Sequence, residues 1–244
     1  MDHLANVSKS EQMGNNFLSE SELAYKERVR ERWTPKKRYN IKQAILYRRI
    51  EKYRPLLKKL KKGVGVDLGC GTGIWTKELF DPSSKMVIGI DFSLGALNVA
   101  KEYCPHGTYI LGDLDHLPFR SKCIDAFFSF TSIYYLFPDS QNKLFAELYR
   151  ILKNGGNILL IEPNAQCVIK DKGTYPLHRG RVEQRLREAG FKRVAIELRG
   201  FVPAFIKRRN KKDPIFRSFH FLESIVESFQ VPFLLGGLII YAEK

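Results

Sequence analysis

Cysteine is scarce in this 244-residue chain: Cys70, Cys104, Cys123 and Cys167 stand far apart, with no Cys-x-x-Cys pair. Such spacing excludes a compact thiolate zinc site and a disulfide framework, and it suits a reducing compartment. Long apolar runs are also missing. The longest, "VPFLLGGLIIYA" at 231–242, is shorter than the roughly 20 residues that cross a bilayer, and Pro232, Gly236 and Gly237 interrupt it. The first residues, "MDHLANVSKSEQMGNNF", lack the basic-then-apolar pattern of a secretory signal. Acidic residues are the remaining shortage. Against 41 Lys and Arg stand 26 Asp and Glu, for a formal net charge of +15.

That charge is unevenly spread. Residues 25–62 hold 16 basic and 3 acidic side chains, residues 164–220 hold 15 and 5, and residues 63–163 hold 8 and 11. Basic flanks around a slightly acidic centre would attract RNA, an anionic membrane surface or an acidic small molecule, or would form a solvated surface. The expected location is the cytoplasm, free or peripheral at the membrane.

What is present suits one sizeable domain with appendages. Hydrophobic residues make up 44% of the chain and aromatics 12%, enough for a packed core. Residues 1–18 show no periodicity and read as a mobile tail. Residues 19–62 read as a basic helical extension or lid: "SESELAYKERVRERW" (19–33) opens with capping residues, and 40–63 repeats apolar residues at helical spacing. Pro55 predicts a kink in the second helix and Gly63 its end.

From residue 63 to 244 the pattern becomes alternating strand and helix. Strands are expected at 64–69, 86–91, 107–113, 123–130, 157–163 and 192–199, and a last one near 235–242. Helices are expected at 74–80, 94–104, 141–153 and 179–190, with Asn154-Gly155-Gly156 stopping the third. The alternation predicts an α/β fold, a doubly wound and mostly parallel seven-stranded sheet. Residues 200–233, rich in Phe and basic side chains, read as an insertion between the last two strands.

The stretch "VGVDLGCGTGIW" (64–75) runs off the first strand into the first helix, where ligands bind in such sheets. Gly69, Gly71 and Gly73 allow a tight turn and close approach of a ligand to backbone. Their G-x-G-x-G spacing departs from the dinucleotide fingerprint, and no Gly-Lys-Ser/Thr follows for phosphate. A carboxylate, Asp67, suits a cationic amino group better than a phosphate. Asp91, ending the second strand in "GIDFS", is placed to accept from two ribose hydroxyls. Asp113 and Leu114 in "GDLDHLPF" could accept from an adenine amino group and cover its ring. Amino group, ribose and adenine with no phosphate reader describe S-adenosylmethionine.

The segments "VDLGCGTG", "GIDFS", "GDLDHLPF", "DAFFSFTSIYYL" and "ELYRILKNGGNILLIEPN" resemble, in order and spacing, the class I S-adenosylmethionine-dependent methyltransferases. The likeness is to the branch acting on small molecules and lipids, and it covers roughly residues 63–200. It implies a Rossmann-like fold whose sheet ends in an antiparallel hairpin. It also implies that Asp67 and the loop Gly69, Cys70, Gly71 and Gly73 hold the methionine part. Asp91 would bind the ribose with Phe92 and Ser93 beside it, Asp113 and Leu114 the adenine, and Ser129 would lie next to the cofactor. No metal is implied.

The acceptor is less defined. Methyl transfer from a sulfonium is an in-line displacement that needs alignment and exclusion of water. "SFTSIYYLFP" (129–138) faces the methyl group in this family, and Tyr135 stands where relatives often carry histidine. A phenol is a poor base near neutrality. Tyr135 could instead line the acceptor pocket or meet the sulfonium through a cation–π contact. His178 and His220 are further candidate bases. The Asn/Asp-Pro-Pro-Tyr/Phe signature of base-amino methylation is absent, which favours a small-molecule, lipid or glycan acceptor. RNA bound by the basic flanks is the alternative, and a cofactor-binding subunit without catalysis is a third.

Overall fold

A computed structural model describes residues 52–79, 85–166, 174–199 and 236–244. The expected tail 1–18, most of the extension 19–62, the insertion 200–233 and His220 lie outside the described residues. Seven strands form one sheet: β1 (Val64–Leu68), β2 (Met86–Asp91), β3 (Thr108–Leu111), β4 (Ile124–Phe130), β5 (Leu152–Pro163), β6 (Arg193–Arg199) and β7 (Gly237–Glu243). The helices are α1 (Ile74–Leu79), α2 (Leu94–Tyr103), α3 (Pro138–Ile151) and α4 (Arg179–Ala189), with a 3-10 turn at Ile133–Tyr135. Strand order is β3-β2-β1-β4-β5-β7-β6. β1 pairs in parallel with both β2 and β4, and β7 lies antiparallel between β5 and β6. This is the doubly wound sheet with a closing antiparallel hairpin that the sequence pattern predicts.

The chain leaves β1 toward β2 and β3 on one side, then returns to place β4 on the other. A crevice therefore opens at the carboxyl ends of β1 and β4. Apolar residues occupy both faces of the strands, as a parallel sheet covered on both sides requires. Phe127, Ile158 and Leu160 join one buried cluster with Leu144 and Leu148 of α3 and Leu186 of α4. Their neighbours Phe128, Leu159 and Ile161 point the other way, into a second cluster with Trp75 of α1.

Tyr53 and Leu56 belong to that second cluster, so the end of the basic extension packs on the sheet. Arg54 pairs with Glu78 at 2.6 Å. Asn157 accepts from Lys61 N and donates to Lys59 O, fixing the turn that follows. The helical stretch 52–57 passes through Pro55 and ends by Leu57 in turn-type bonds from Lys59 N to Leu56 O and Leu60 N to Leu57 O. The expected stop at Gly63 is therefore corrected: the chain leaves the helix earlier to reach β1.

A second correction concerns Asn154-Gly155-Gly156. Helix α3 begins with Pro138, whose missing N–H is no loss in a first turn, and ends at Ile151. β5 starts directly afterwards, and the glycine pair lies inside it as a bulge. The β4 pairing passes from Ile124–Leu152 to Ala126–Asn157, leaving Lys153 to Gly156 as extra residues. Gly155 has φ 72° and donates to Lys244 O at 3.2 Å, while Lys244 N donates to Gly156 O at 3.0 Å. The tripeptide ends the helix by bulging a strand rather than by forming a loop.

Helix α4 stops as expected at Gly190, where φ is 109° and Phe191 N donates back to Leu186 O. A Cβ on Gly190 would come within 2.7 Å of the Tyr149 ring. Gly190→Ala is expected to lower stability by about 1–3 kcal/mol, whereas Gly65→Ala, with nothing within 4 Å of its Cβ, should leave it nearly unchanged. Thermal or urea unfolding of both variants measures the contrast, and equal effects would contradict it.

Candidate active site

The glycine turn is held to β2 from below. Gly69 N and Cys70 N both donate to Ile90 O, at 2.8 and 3.0 Å. Gly69, Gly71 and Gly73 take φ values of 67°, 55° and 77°, the left-handed region that favours glycine. A side chain would also meet solid neighbours. A Cβ on Gly69 would strike Ser132, and one on Gly73 would lie 2.9 Å from Ala100 Cβ.

Asp91 ties this turn to the next one. Its Oδ2 accepts from Gly71 N and its Oδ1 from Ser93 N, both at 2.9 Å. Each carboxylate oxygen can accept more than one hydrogen bond. Ser93 caps α2, its hydroxyl accepting from Ala96 N at 3.3 Å. Asp113 fixes its own turn by accepting from Asp115 N at 3.1 Å.

These elements surround one cavity at the carboxyl ends of the strands. Of the residues expected at the site, Gly69, Gly71, Asp91, Phe92, Asp113, Leu114 and Tyr135 line it. Asp67, Cys70, Gly73, Ser93 and Ser129 do not stand on its wall. Asp67 lies beneath the loop, 1% exposed, and accepts from Thr76 Oγ1 at 2.7 Å. Burial pushes its carboxyl up to about 7, against the Thr76 hydroxyl and with the charge of Asp91 adding to the rise. Cys70 is buried, and its thiol is likewise driven up by burial, so it is no thiolate nucleophile. His178 precedes α4 and does not line the cavity.

The wall opposite the glycine turn comes from the segment after β4, where sequence reading singled out only Ser129 and Tyr135. Thr131, Ser132 and Leu136 line it as well. Thr131 has φ 54°, a strained value for a β-branched residue. Tyr135 stacks beside Tyr134 with ring centroids 4.1 Å apart. Ser132 Oγ donates to Gly69 O at 3.1 Å, joining this wall directly to the glycine turn.

Behind that wall is a residue the sequence reading missed. Glu162, 1% exposed at the end of β5, accepts from Ser129 Oγ at 2.7 Å and from three backbone N–H groups. Burial pushes its carboxyl up to about 7, opposed by those four donors. The available signal was a lone acid in the apolar run "NILLIEP", in the same place on its strand as Asp67 and Asp91 on theirs.

Among the described residues that line the cavity, Asp91 and Asp113 are acidic and none is cationic. Such a site disfavours phosphate groups and suits a cation or a polyol. Among the described residues, no group of three or more His, Cys, Asp or Glu side chains could hold a metal ion.

Asp67 and Glu162 bind their protons more tightly in the folded chain than unfolded, where carboxyls titrate near 4. The folded state thus holds extra protons between about pH 4 and about 7, and their stabilising effect is lost as pH rises through this window. Removing one titration should remove its share. The Tm of Asp67→Asn relative to wild type is expected to shift in the variant's favour between about pH 5 and about 8. A difference that stays constant or moves the other way would contradict the raised carboxyl.

Comparison with known proteins agrees with this geometry. A family profile described as a methyltransferase domain matches residues 66–160, from β1 to β5. Malonyl-[acyl-carrier protein] O-methyltransferase of Hamiltonella defensa is 33% identical over 100 residues, which are 41% of this chain and 38% of that protein. The ubiquinone/menaquinone biosynthesis C-methyltransferase UbiE of Campylobacter jejuni is 31% identical over 127 residues, 48% of this chain and 52% of that protein. The chain therefore spans about half or less of the length of these relatives. An S-adenosylmethionine-dependent methyltransferase from Archaeoglobus fulgidus shares the fold with a TM-score of 0.62 at 19% identity, over 82% of this chain and 94% of that one. Strand order, glycine turn and domain match coincide on one stretch: residues 66–160 match the methyltransferase-domain family, and the fold is the one seen in S-adenosylmethionine-dependent methyltransferases.

Proposed function

We propose that the cavity binds S-adenosylmethionine and that the protein transfers its methyl group to a small-molecule, lipid-like or glycan-type acceptor. One observation carries the reading. The glycine turn, Asp91 and Asp113 converge on one cavity, and among the described residues that line it there is no Lys, Arg or His. Backbone at Gly69 and Gly71 comes close to a ligand, and Asp91 offers oxygens to a ribose diol. Leu114 and Phe92 supply apolar surface for adenine beside Asp113. Asp67, buried below the turn and bonded to Thr76, does not reach the cavity and supports the turn from beneath. The donor set therefore fits S-adenosylmethionine, and it suits a triphosphate or a dinucleotide poorly.

When bound, the cofactor supplies an electrophilic methyl on a sulfonium. The residues of this chain hold, orient and shield. Phe130, Thr131, Tyr135 and Leu136 form the wall facing the glycine turn, mostly apolar and without a cation. That wall favours an apolar acceptor over a polyphosphate strand, and the similar proteins include a malonyl-[acyl-carrier protein] O-methyltransferase and a ubiquinone/menaquinone biosynthesis C-methyltransferase. In this reading Tyr135 contacts the acceptor or the sulfonium face. The basic segments within 19–62 and 200–233 guide an anionic or membrane-associated acceptor toward the cavity.

Incubation with methyl-labelled S-adenosylmethionine and a cell extract, fractionated into lipid, RNA, protein and small molecules, tests the acceptor class. Label is expected in the lipid or small-molecule fraction. Label in RNA that falls steeply with salt would replace this reading with the RNA one. Cofactor binding without transfer to any fraction would make the protein a non-catalytic subunit.

A further inference from the structure

The turn Thr131–Tyr135 faces the glycine loop across the cavity, and its conformation is costly. Thr131 sits at φ 54°, where a β-branched side chain crowds the backbone. Successive N–H groups of Ser132, Ile133 and Tyr134 then point inward, away from water. Glu162 receives all three. Its Oε1 accepts from Ser132 N and Ile133 N at 3.2 Å each, and its Oε2 from Tyr134 N at 3.3 Å. A fourth donor, Ser129 Oγ at 2.7 Å, holds the carboxylate from β4.

The carbonyl side of the same turn is held by other groups. Gln141 Nε2 donates to Leu136 O at 3.0 Å and to Tyr175 O at 2.7 Å. Tyr175 N donates to Tyr134 O at 2.7 Å. From the turn, Ser132 Oγ reaches Gly69 O at 3.1 Å, and glycine at 69 leaves the space that Ser132 occupies. Four hydrogen bonds thus lead from one buried carboxylate, through a strained turn, to the loop that faces the cofactor.

We propose that Glu162 is a positioning residue that fixes the turn Thr131–Tyr135 against the glycine loop and so sets the width of the cavity. The inference rests on the reading of that cavity as a cofactor site. An ionised carboxylate suits the task because in that form it accepts only. Glutamine has the same shape, but its amide nitrogen would turn a donor toward Tyr134 N or Ser129 Oγ. Leaving a buried donor unpaired costs more than the lost bond itself, so one oxygen-to-nitrogen change should loosen the turn. Glu162 does not line the cavity, so it acts through Ser132 and not on the ligand.

The test combines amide hydrogen exchange and calorimetry of S-adenosylmethionine binding on the full chain. Glu162→Gln is expected to speed exchange at residues 132–134 and to weaken cofactor binding, each by about tenfold. Ile158→Val, a core change on the same strand, should leave both readings at wild-type values even if it lowers Tm. Ser132→Ala, which removes the hydroxyl that bonds Gly69 O and Phe130 O but keeps the N–H bond to Glu162, should weaken binding by about fivefold with exchange at 133–134 retained. If Glu162→Gln does not fold, the Ser132 and Ile158 variants still decide. Wild-type exchange and affinity in Glu162→Gln, or affinity losses in Ile158→Val that match it, would overturn the proposal. If wild type binds no cofactor while Glu162→Gln still speeds exchange, the clamp stands and the cofactor reading falls.

Discussion

The site depends on one carboxylate shared between two turns. Asp91 accepts Gly71 N with one oxygen and Ser93 N with the other, both at 2.9 Å. The first bond holds the glycine turn after β1, and the second sets the start of α2. Without that bridge the two turns would have separate orientations, and the crevice at the switch point would have no fixed floor. The same group faces the cavity, so the residue that shapes the site also presents its acceptor atoms.

Three acids near the carboxyl ends of β1, β2 and β5 divide this work. Asp67 on β1 is buried and accepts from Thr76 of α1, Asp91 on β2 lines the cavity, and Glu162 on β5 holds the opposite wall. Burial raises both Asp67 and Glu162 to about 7, and in each case hydrogen-bond donors oppose the shift. Among the described lining residues the acids Asp91 and Asp113 meet no cation, which favours positive or neutral ligands, although the chain as a whole is strongly basic.

Much of this was legible in the sequence because strand and helix periods alternate cleanly and the strands are short and bounded. The glycine turn, Asp91 and Asp113 could be read because each follows a strand at the spacing a switch-point ligand requires. Glu162 could not. Its partners are backbone N–H groups of a turn about 30 residues away, and no local pattern records them. The direction of Asp67 was equally hidden, since a residue at the end of a buried strand can face the loop or the layer below. The glycine pair after α3 read as a stop, yet the closing strand β7 holds it inside β5 as a bulge. That pairing joins residues about 90 positions apart.

The central claim is that the cavity is built for a sulfonium-bearing nucleoside and not for a phosphate-bearing one. Competitive calorimetry on the ligand-free protein addresses it directly, with S-adenosylmethionine, ATP and NAD as ligands and Asp91→Ala as the variant. The account predicts saturable binding of S-adenosylmethionine alone, weakened at least about tenfold in Asp91→Ala by loss of a charged hydrogen-bond acceptor. Binding of ATP or NAD as tight as that of S-adenosylmethionine, or an unchanged affinity in the variant, would contradict it.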